Sequence, residues 1–241
     1  MIRSLLILLL CCSMAFADTV NLVVGASDDD TVGITETPSA TTSATLNLTA
    51  TNMQAGKIFT AIRHCAFRIQ SVTIPALSVI DSVRLTFVAA LTNGTNTCNL
   101  RFCMEDTGDA ATFSDTADYN ARSLTTATAD WNDVPDWTAG TTYTFPSSGA
   151  ASTTLADVMQ EVVDRADWAS GNDVVFFLYE NGSSTNANRG IATWDNASYD
   201  PPEIDIWYTP PAASGPPDHY HGVAGVAVRH SMAGNSVLHK K

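Results

Sequence analysis

Lysine occurs at only three positions, Lys57, Lys240 and Lys241, and the 12 basic side chains of this 241-residue chain face 25 acidic ones, a formal net charge of -13. Nucleic acids and anionic membranes bind through a basic footprint, so this balance argues against both as partners. Long hydrophobic runs are scarce too. Beyond residue 17 no stretch approaches the roughly 18 to 20 apolar residues that a membrane span needs. Histidine is confined to His64 and to four positions in the last 24 residues, and there is no Gly-x-Ser-x-Gly, His-Glu-x-x-His or Cys-x-x-Cys spacing. Serine-hydrolase and zinc chemistry therefore lack their parts. Glu105, Glu161 and Glu180 are the glutamates that a glycosidase reading would bring together, but Glu161 lies on the helix beside its buried stripe and Glu180 ends a strand, both ordinary polar positions. The expectation is a non-enzymatic protein.

What the first 17 residues do contain is a basic start at Arg3, an apolar run from Leu5 to Leu10 and Ala15-Phe16-Ala17, the pattern of a cleaved export signal. A secreted, extracellular or surface location follows. Of the five cysteines, Cys11 and Cys12 leave with the signal, and an odd number remains. Cys98 and Cys103 lie on one predicted strand and point to opposite faces, which leaves Cys65 as the common partner of any bridge. The alternative is three thiols, with Cys65 and Cys98 as small core hydrophobes.

Alternation with a period of two marks the stretch around which the chain is organised. Phe59, Ala61, Cys65, Phe67 and Ile69 fall on one face, with His64, Arg68 and Gln70 on the other, so His64 reads as a surface residue. Val83, Leu85, Phe87 and Ala89 repeat the pattern after a break at Ile74-Pro75, and two long antiparallel strands result. Further strands are predicted around Val20 to Val24, Leu46 to Ala50, Cys98 to Met104, Val174 to Tyr179, Ala192 to Trp194 and Ile204 to Tyr208. Val174 to Tyr179 is apolar on both faces, as in a strand sandwiched between layers.

Leu155, Val158, Met159, Val162 and Val163 follow helical spacing and predict one amphipathic helix over Thr154 to Arg165, with Asp157 in its first turn and Arg165 in its last. Gly171 follows as a residue suited to a left-handed backbone. The fold class expected is mainly β, a two-sheet antiparallel sandwich with one helix and a flexible C-terminal tail. The boundaries are a signal peptide over 1–17, a sandwich domain over 18–209, a Pro-rich linker over 210–217 and a basic, His-rich tail over 218–241.

Several motifs point further: Ile74-Pro75, the Trp131, Val134-Pro135, Trp137 loop, Gln160-Glu161-Val162-Val163 followed by Arg165 and Trp168, Ser170-Gly171-Asn172, and Arg189 after a Gly/Ser loop. Together they resemble secreted bacterial modules of the DNRLRE type, jelly-roll domains similar to carbohydrate-binding modules, although the literal DNRLRE string is absent. The resemblance implies a polysaccharide or surface glycan as partner. Glycan binding needs flat aromatic faces beside hydrogen-bonding side chains, and the candidate ligand set is Trp131, Trp137, Trp194, Trp207 and Arg189. Trp207 alternates outward with Glu203 and Asp205 and is the aromatic expected to be most exposed. The competing reading is that Trp131, Trp137 and Trp168 plug the ends of the sandwich. Structural calcium is the metal candidate, with Asp28, Asp29 and Asp30 as the densest oxygen cluster and a solvated acidic turn as the alternative.

A second function class comes from the tail. The tail carries +2 and the domain before it -16 once the signal is removed, and Gly222 to Val228 is short, uncharged and valine-rich. Such a segment can add to a sheet edge, so the alternative is a structural subunit self-associating through its tail into a filament.

Overall fold

The computed structural model describes residues 17–35, 45–59, 61–146 and 153–212. The expected leader before residue 17, the linker past residue 212 and the tail lie outside the described residues. In chain order the strands are β1 (Asp18–Val23), β2 (Asp30–Thr35), β3 (Thr45–Asn47), β4 (Asn52–Ile58), β5 (Ala61–Val72), β6 (Val79–Val88), β7 (Leu100–Met104), β8 (Ala129–Trp131), β9 (Thr142–Phe145), β10 (Asn172–Glu180), β11 (Asn188–Ala192) and β12 (Glu203–Thr209). Among the described residues two α-helices, α1 (Thr116–Ala121) and α2 (Thr153–Val163), and a 3-10 turn over Ser27–Asp29 interrupt them. All strand pairs are antiparallel, and they form a two-sheet sandwich. The small sheet has the order β1-β12-β6-β9 and the large one β11-β4-β5-β10-β7-β8, with β2 also pairing with β5 and β3 with β2.

Cys65, Phe67 and Ile69 of β5 and Val83, Leu85 and Phe87 of β6 are fully buried, as their alternation requires. The two strands do not pair with each other, however. β5 belongs to the large sheet and β6 to the small one, so the Ile74-Pro75 turn carries the chain across the sandwich. Phe67 and Phe87 then meet edge to face from opposite layers, their ring centroids 5.9 Å apart. Phe59 departs from the expected strand face. It sits in the turn between β4 and β5 at φ +53°, exposed, with its N–H donating to Asn186 Oδ1 at 2.6 Å.

The helix stripe is as the spacing predicts: Leu155, Val158, Met159, Val162 and Val163 are all buried in the main core. The helix packs along β6 and over β7 and β8, completing the layer that the four-stranded sheet leaves short. It ends at Val163, so Arg165 lies beyond its last turn and pairs instead with Asp106 and Asp167, and Asp157 is not in its first turn. Gly171 follows at φ +97°. Cys65, Cys98 and Cys103 are all buried free thiols. Cys98 precedes β7 and joins the main core with Cys65, whereas Cys103 faces the other side of the sheet, where burial pushes its thiol up to about 12.

That other side holds the main departure from the sequence reading. Ala66, Cys103, Val175 and Phe177 project from the outer face of the large sheet into a second core, closed by Ala110, Phe113 and Tyr119. His64 lies there fully buried, its Nδ1 2.7 Å from the Tyr119 hydroxyl, not on a wet face. Burial holds it neutral by pulling its pKa down to about 4. The covering segment, residues 105–125, includes α1, a helix not expected from periodicity. The Asp115 side chain caps α1 by accepting from the N–H groups of Ala117 and Asp118. Arg122 clamps the segment. Its guanidinium donates to Glu105, Asp118 and the carbonyls of Ala111 and Thr112, and lies 4.4 Å over the Phe113 ring. Among the described residues the large sheet is thus covered on both faces, and the small sheet has one face that no described residue covers.

Candidate ligand-binding surface

The outer face of the small sheet is built by alternation along three neighbouring strands. Val20 of β1, Val83 and Leu85 of β6 and Ile204 and Ile206 of β12 point into the core, so Asn21, Arg84, Glu203, Asp205 and Trp207 must point out. These outward side chains form one network. Asn21 donates to Glu203 and, at 2.8 Å, to Asp205 Oδ1, and Arg84 donates to Asp205 Oδ2 through Nε at 2.9 Å and Nη2 at 2.6 Å. The Arg84 guanidinium also lies 5.2 Å from the Trp207 ring centroid, in cation–π range. The result is a half-exposed indole fixed beside two carboxylates and an amide. Arg84 and Asn21 carry no mark in the sequence beyond falling on the outward positions of their strands.

Of the four tryptophans expected to bind ligand, the structure leaves two with accessible faces. Trp131 is 3% and Trp137 is 1% exposed. Trp131 stacks on Phe87 and Phe102 at 6.2 Å and Trp137 on Tyr143 at 4.8 Å, so both are core residues that offer no face to a ligand. Arg189 is corrected likewise. It is buried and donates to the carbonyls of Val134 and Pro135 at 2.6 and 2.7 Å, pinning the loop between Trp131 and Trp137. Trp168 is also buried, its indole N–H donating to the Ile74 carbonyl at 3.1 Å.

Trp194, not Trp207, is the most exposed tryptophan, at 48%. β11 ends at Ala192, so Trp194 falls in the loop to β12 and not in a strand. The loop is well tied. Its Trp194 N–H donates to Asp30 Oδ2 at 2.7 Å, Asp195 Oδ2 accepts from the Ser27 hydroxyl at 2.7 Å, and Asn196 donates to the Thr51 carbonyl at 2.8 Å.

The acidic turn is spent on these ties. Asp28 is exposed, Asp29 is buried and accepts from Arg68 at 2.7 Å and Gln70 at 2.5 Å, and Asp30 is buried under the Trp194 loop. Asp29 and Asp30 engage different partners. Among the described residues no group of three or more His, Cys, Asp or Glu side chains is arranged to hold a metal ion. Asp30 Oδ1 has no hydrogen-bond partner, and burial, reinforced by Asp195 and Asp29, raises its pKa to about 7 against the Trp194 hydrogen bond.

Two of the glutamates of the glycosidase reading, Glu105 and Glu180, are separated. Glu180 sits opposite Leu100 at one end of β7, and Glu105 follows Met104 at the other. Five residues of strand place them roughly 17 Å apart, beyond the spacing of about 5 to 9.5 Å that glycoside cleavage uses. Glu161 accepts from the N–H groups of Thr126 and Ala127 at 2.8 Å. No protein-family model matches the chain, and no curated protein matches it significantly.

Proposed function

We propose that this protein is a secreted, non-enzymatic glycan-binding module whose ligand lies on the open face of the small sheet. The observation that carries the reading is the fixed constellation of Trp207, Arg84, Asp205, Glu203 and Asn21 on that face. A sugar ring presents an apolar face of C–H groups and a rim of hydroxyls. An indole held in one orientation stacks on the first, and carboxylate and amide oxygens accept from the second. Because the network is already made, little side-chain freedom is lost on binding. Trp194 supplies a second indole on a loop held by Asp30 and Asn196. The sequence motifs that resemble DNRLRE-type modules, and the export signal expected over residues 1–17, support the same reading.

The test is retention on a panel of polysaccharides and a glycan array, using the mature chain with Trp207→Ala and Trp194→Ala. Trp207→Ala is expected to weaken binding at least about tenfold, roughly 1.4 kcal/mol, with circular dichroism unchanged. Loss with Trp194→Ala alone would move the site to the loop. Absence of retention on every polysaccharide ends the proposal, and release of sugar from any of them would place the protein among enzymes.

A further inference from the structure

Ile74-Pro75, Gln160 and Trp168, which stand out as motifs in the sequence, meet at one turn. In this β-turn, residues 75–78, the Ser78 N–H donates to the Pro75 carbonyl at 3.3 Å and the Ser78 hydroxyl to the same oxygen at 2.7 Å. The turn is fastened from both sides. The Trp168 indole N–H donates to the Ile74 carbonyl at 3.1 Å, and Gln160 of α2 donates to the Ser78 carbonyl at 3.1 Å while accepting from the Ile80 N–H at 2.7 Å. At the third position of the turn stands Leu77, at φ +65° and 78% exposed. That left-handed backbone disfavours any residue with a Cβ and is ordinarily taken by glycine or asparagine. Leucine is thus unfavourable here twice over, in its backbone and in its bare apolar side chain, and so exposed a side chain adds little to the packing of the fold.

Leu77 leads directly onto the face that carries Trp207. Ile80 of β6 and Tyr208 of β12 pair in register and are both buried, so the adjacent pair, Val79 and Thr209, points to the open side with Trp207. Val79 is 58% exposed. It is the diagonal neighbour of Trp207 across the two strands, about 7 to 8 Å away between Cα atoms. Along β12 the face therefore runs from apolar to polar, with Leu77, Val79 and Trp207 at one end and Asp205 and Glu203 at the other. The strand is seven residues long, a rise of roughly 20 Å, which exceeds one sugar ring. Charge narrows the class of ligand. Arg84 is the only basic residue in the four strands of this sheet and is engaged by Asp205, whereas Asp81, held by the Thr209 hydroxyl at 2.9 Å, adds a third carboxylate to Glu203 and Asp205. Such a surface, on a domain of charge -16, repels a polyanion.

We infer that the ligand site extends past Trp207 onto Val79 and Leu77 and takes an uncharged polysaccharide lying lengthwise along β12, its ring faces on the apolar end and its hydroxyls donating to Asp205 and Glu203. Such a site presupposes the glycan reading, with which it shares Trp207, and fixes the run of the chain and the class of sugar. Because Gln160 and Trp168 already brace the turn, Leu77 is presented without further ordering on binding. Uronic-acid and sulfated chains are turned away by the carboxylates.

Calorimetry on the mature chain tests it, with the neutral polysaccharide that retains the chain best, fragments of two and six sugars cut from that polymer, and a polyuronate as probes. Leu77→Gly and Val79→Thr are each expected to weaken binding of the six-sugar fragment about fivefold and to leave the two-sugar fragment, which Trp207 alone accommodates, within about twofold. Leu77→Gly should also raise the melting temperature, because the left-handed strain it removes outweighs the freedom that glycine gains in the unfolded chain. Its loss of affinity then cannot come from unfolding. Unchanged six-sugar affinity in either variant overturns the inference, as does an equal loss on both fragments, and in both cases Trp207→Ala still tests the glycan reading by itself. A lowered melting temperature for Leu77→Gly would make Leu77 a residue of the fold and overturn it as well. Tighter binding to the polyuronate than to any neutral polymer overturns the class of sugar, and no retention on any polysaccharide ends both readings.

Discussion

Asp30 and His64 lie on opposite faces of the large sheet, and burial moves their pKa values in opposite directions. Asp30 goes up from 3.8 to about 7 and His64 goes down from 6.5 to about 4. The folded protein therefore holds a proton on Asp30 where the unfolded chain has lost it, so this contribution is full below about 3.8 and is lost as pH rises towards 7. For His64 the folded state excludes a proton that the unfolded chain binds, so its contribution is full above about 6.5 and is lost as pH falls towards 4. Across the shared window the two slopes oppose each other and nearly cancel. Asp30→Asn keeps an acceptor for the Trp194 N–H and removes one of the slopes. Thermal unfolding of that variant should show stability rising from pH 4 to 6.5, and at pH 8 it should exceed the parent by roughly 2 to 4 kcal/mol. Parallel pH profiles for variant and parent would contradict the burial of an uncompensated carboxyl at this position.

At the scale of the element, segment 105–125 shows both how a covering loop is held and why it was hard to read. Periodicity identified β5, β6, β7, β10 and α2, because each has a face that meets a regular neighbour. The cover has no period. Phe113 and Tyr119 are isolated aromatics among small and acidic residues, and only the Asp115 cap marks α1. Without the cover His64 reads as a wet position, since alternation distinguishes two faces but not whether the second is covered. The same gap affected the tryptophans: sequence placed Trp131, Trp137 and Trp194 near loops, but exposure depends on which loops fold inward. Arg122 is the clamp, with its side chain 3% exposed and engaged on four oxygens. Arg122→Ala leaves Glu105 unpaired and should cost about 3 to 5 kcal/mol. Hydrogen exchange should rise first across residues 105–125, and unchanged exchange there would deny Arg122 this role. Arg122→Lys should recover only part of the loss, because one ammonium cannot span the planar fork's acceptors.

For the whole molecule the question is whether two cores make one cooperative unit or two. The large sheet is their common floor: β10 sends Val174, Phe176 and Leu178 into the main core and Val175 and Phe177 into the second. Phe176 stacks on Phe67 with centroids 5.5 Å apart, while Phe177 meets Tyr119 at 5.3 Å, edge to face. Adjacent residues of one strand thus report on opposite layers. Losing the second core would expose the outer faces of β5, β7 and β10 to water, and those are the strands whose inner faces carry the main core. The layers should therefore unfold together, in a single transition seen alike by far-UV and near-UV circular dichroism. On that basis Phe176→Ala and Phe177→Ala should each lower global stability by about 3 to 5 kcal/mol, the usual cost of emptying a buried phenylalanine site. If Phe177→Ala left the global midpoint in place and only raised exchange across 105–125, the cover would be a separately folding unit resting on a self-sufficient sandwich.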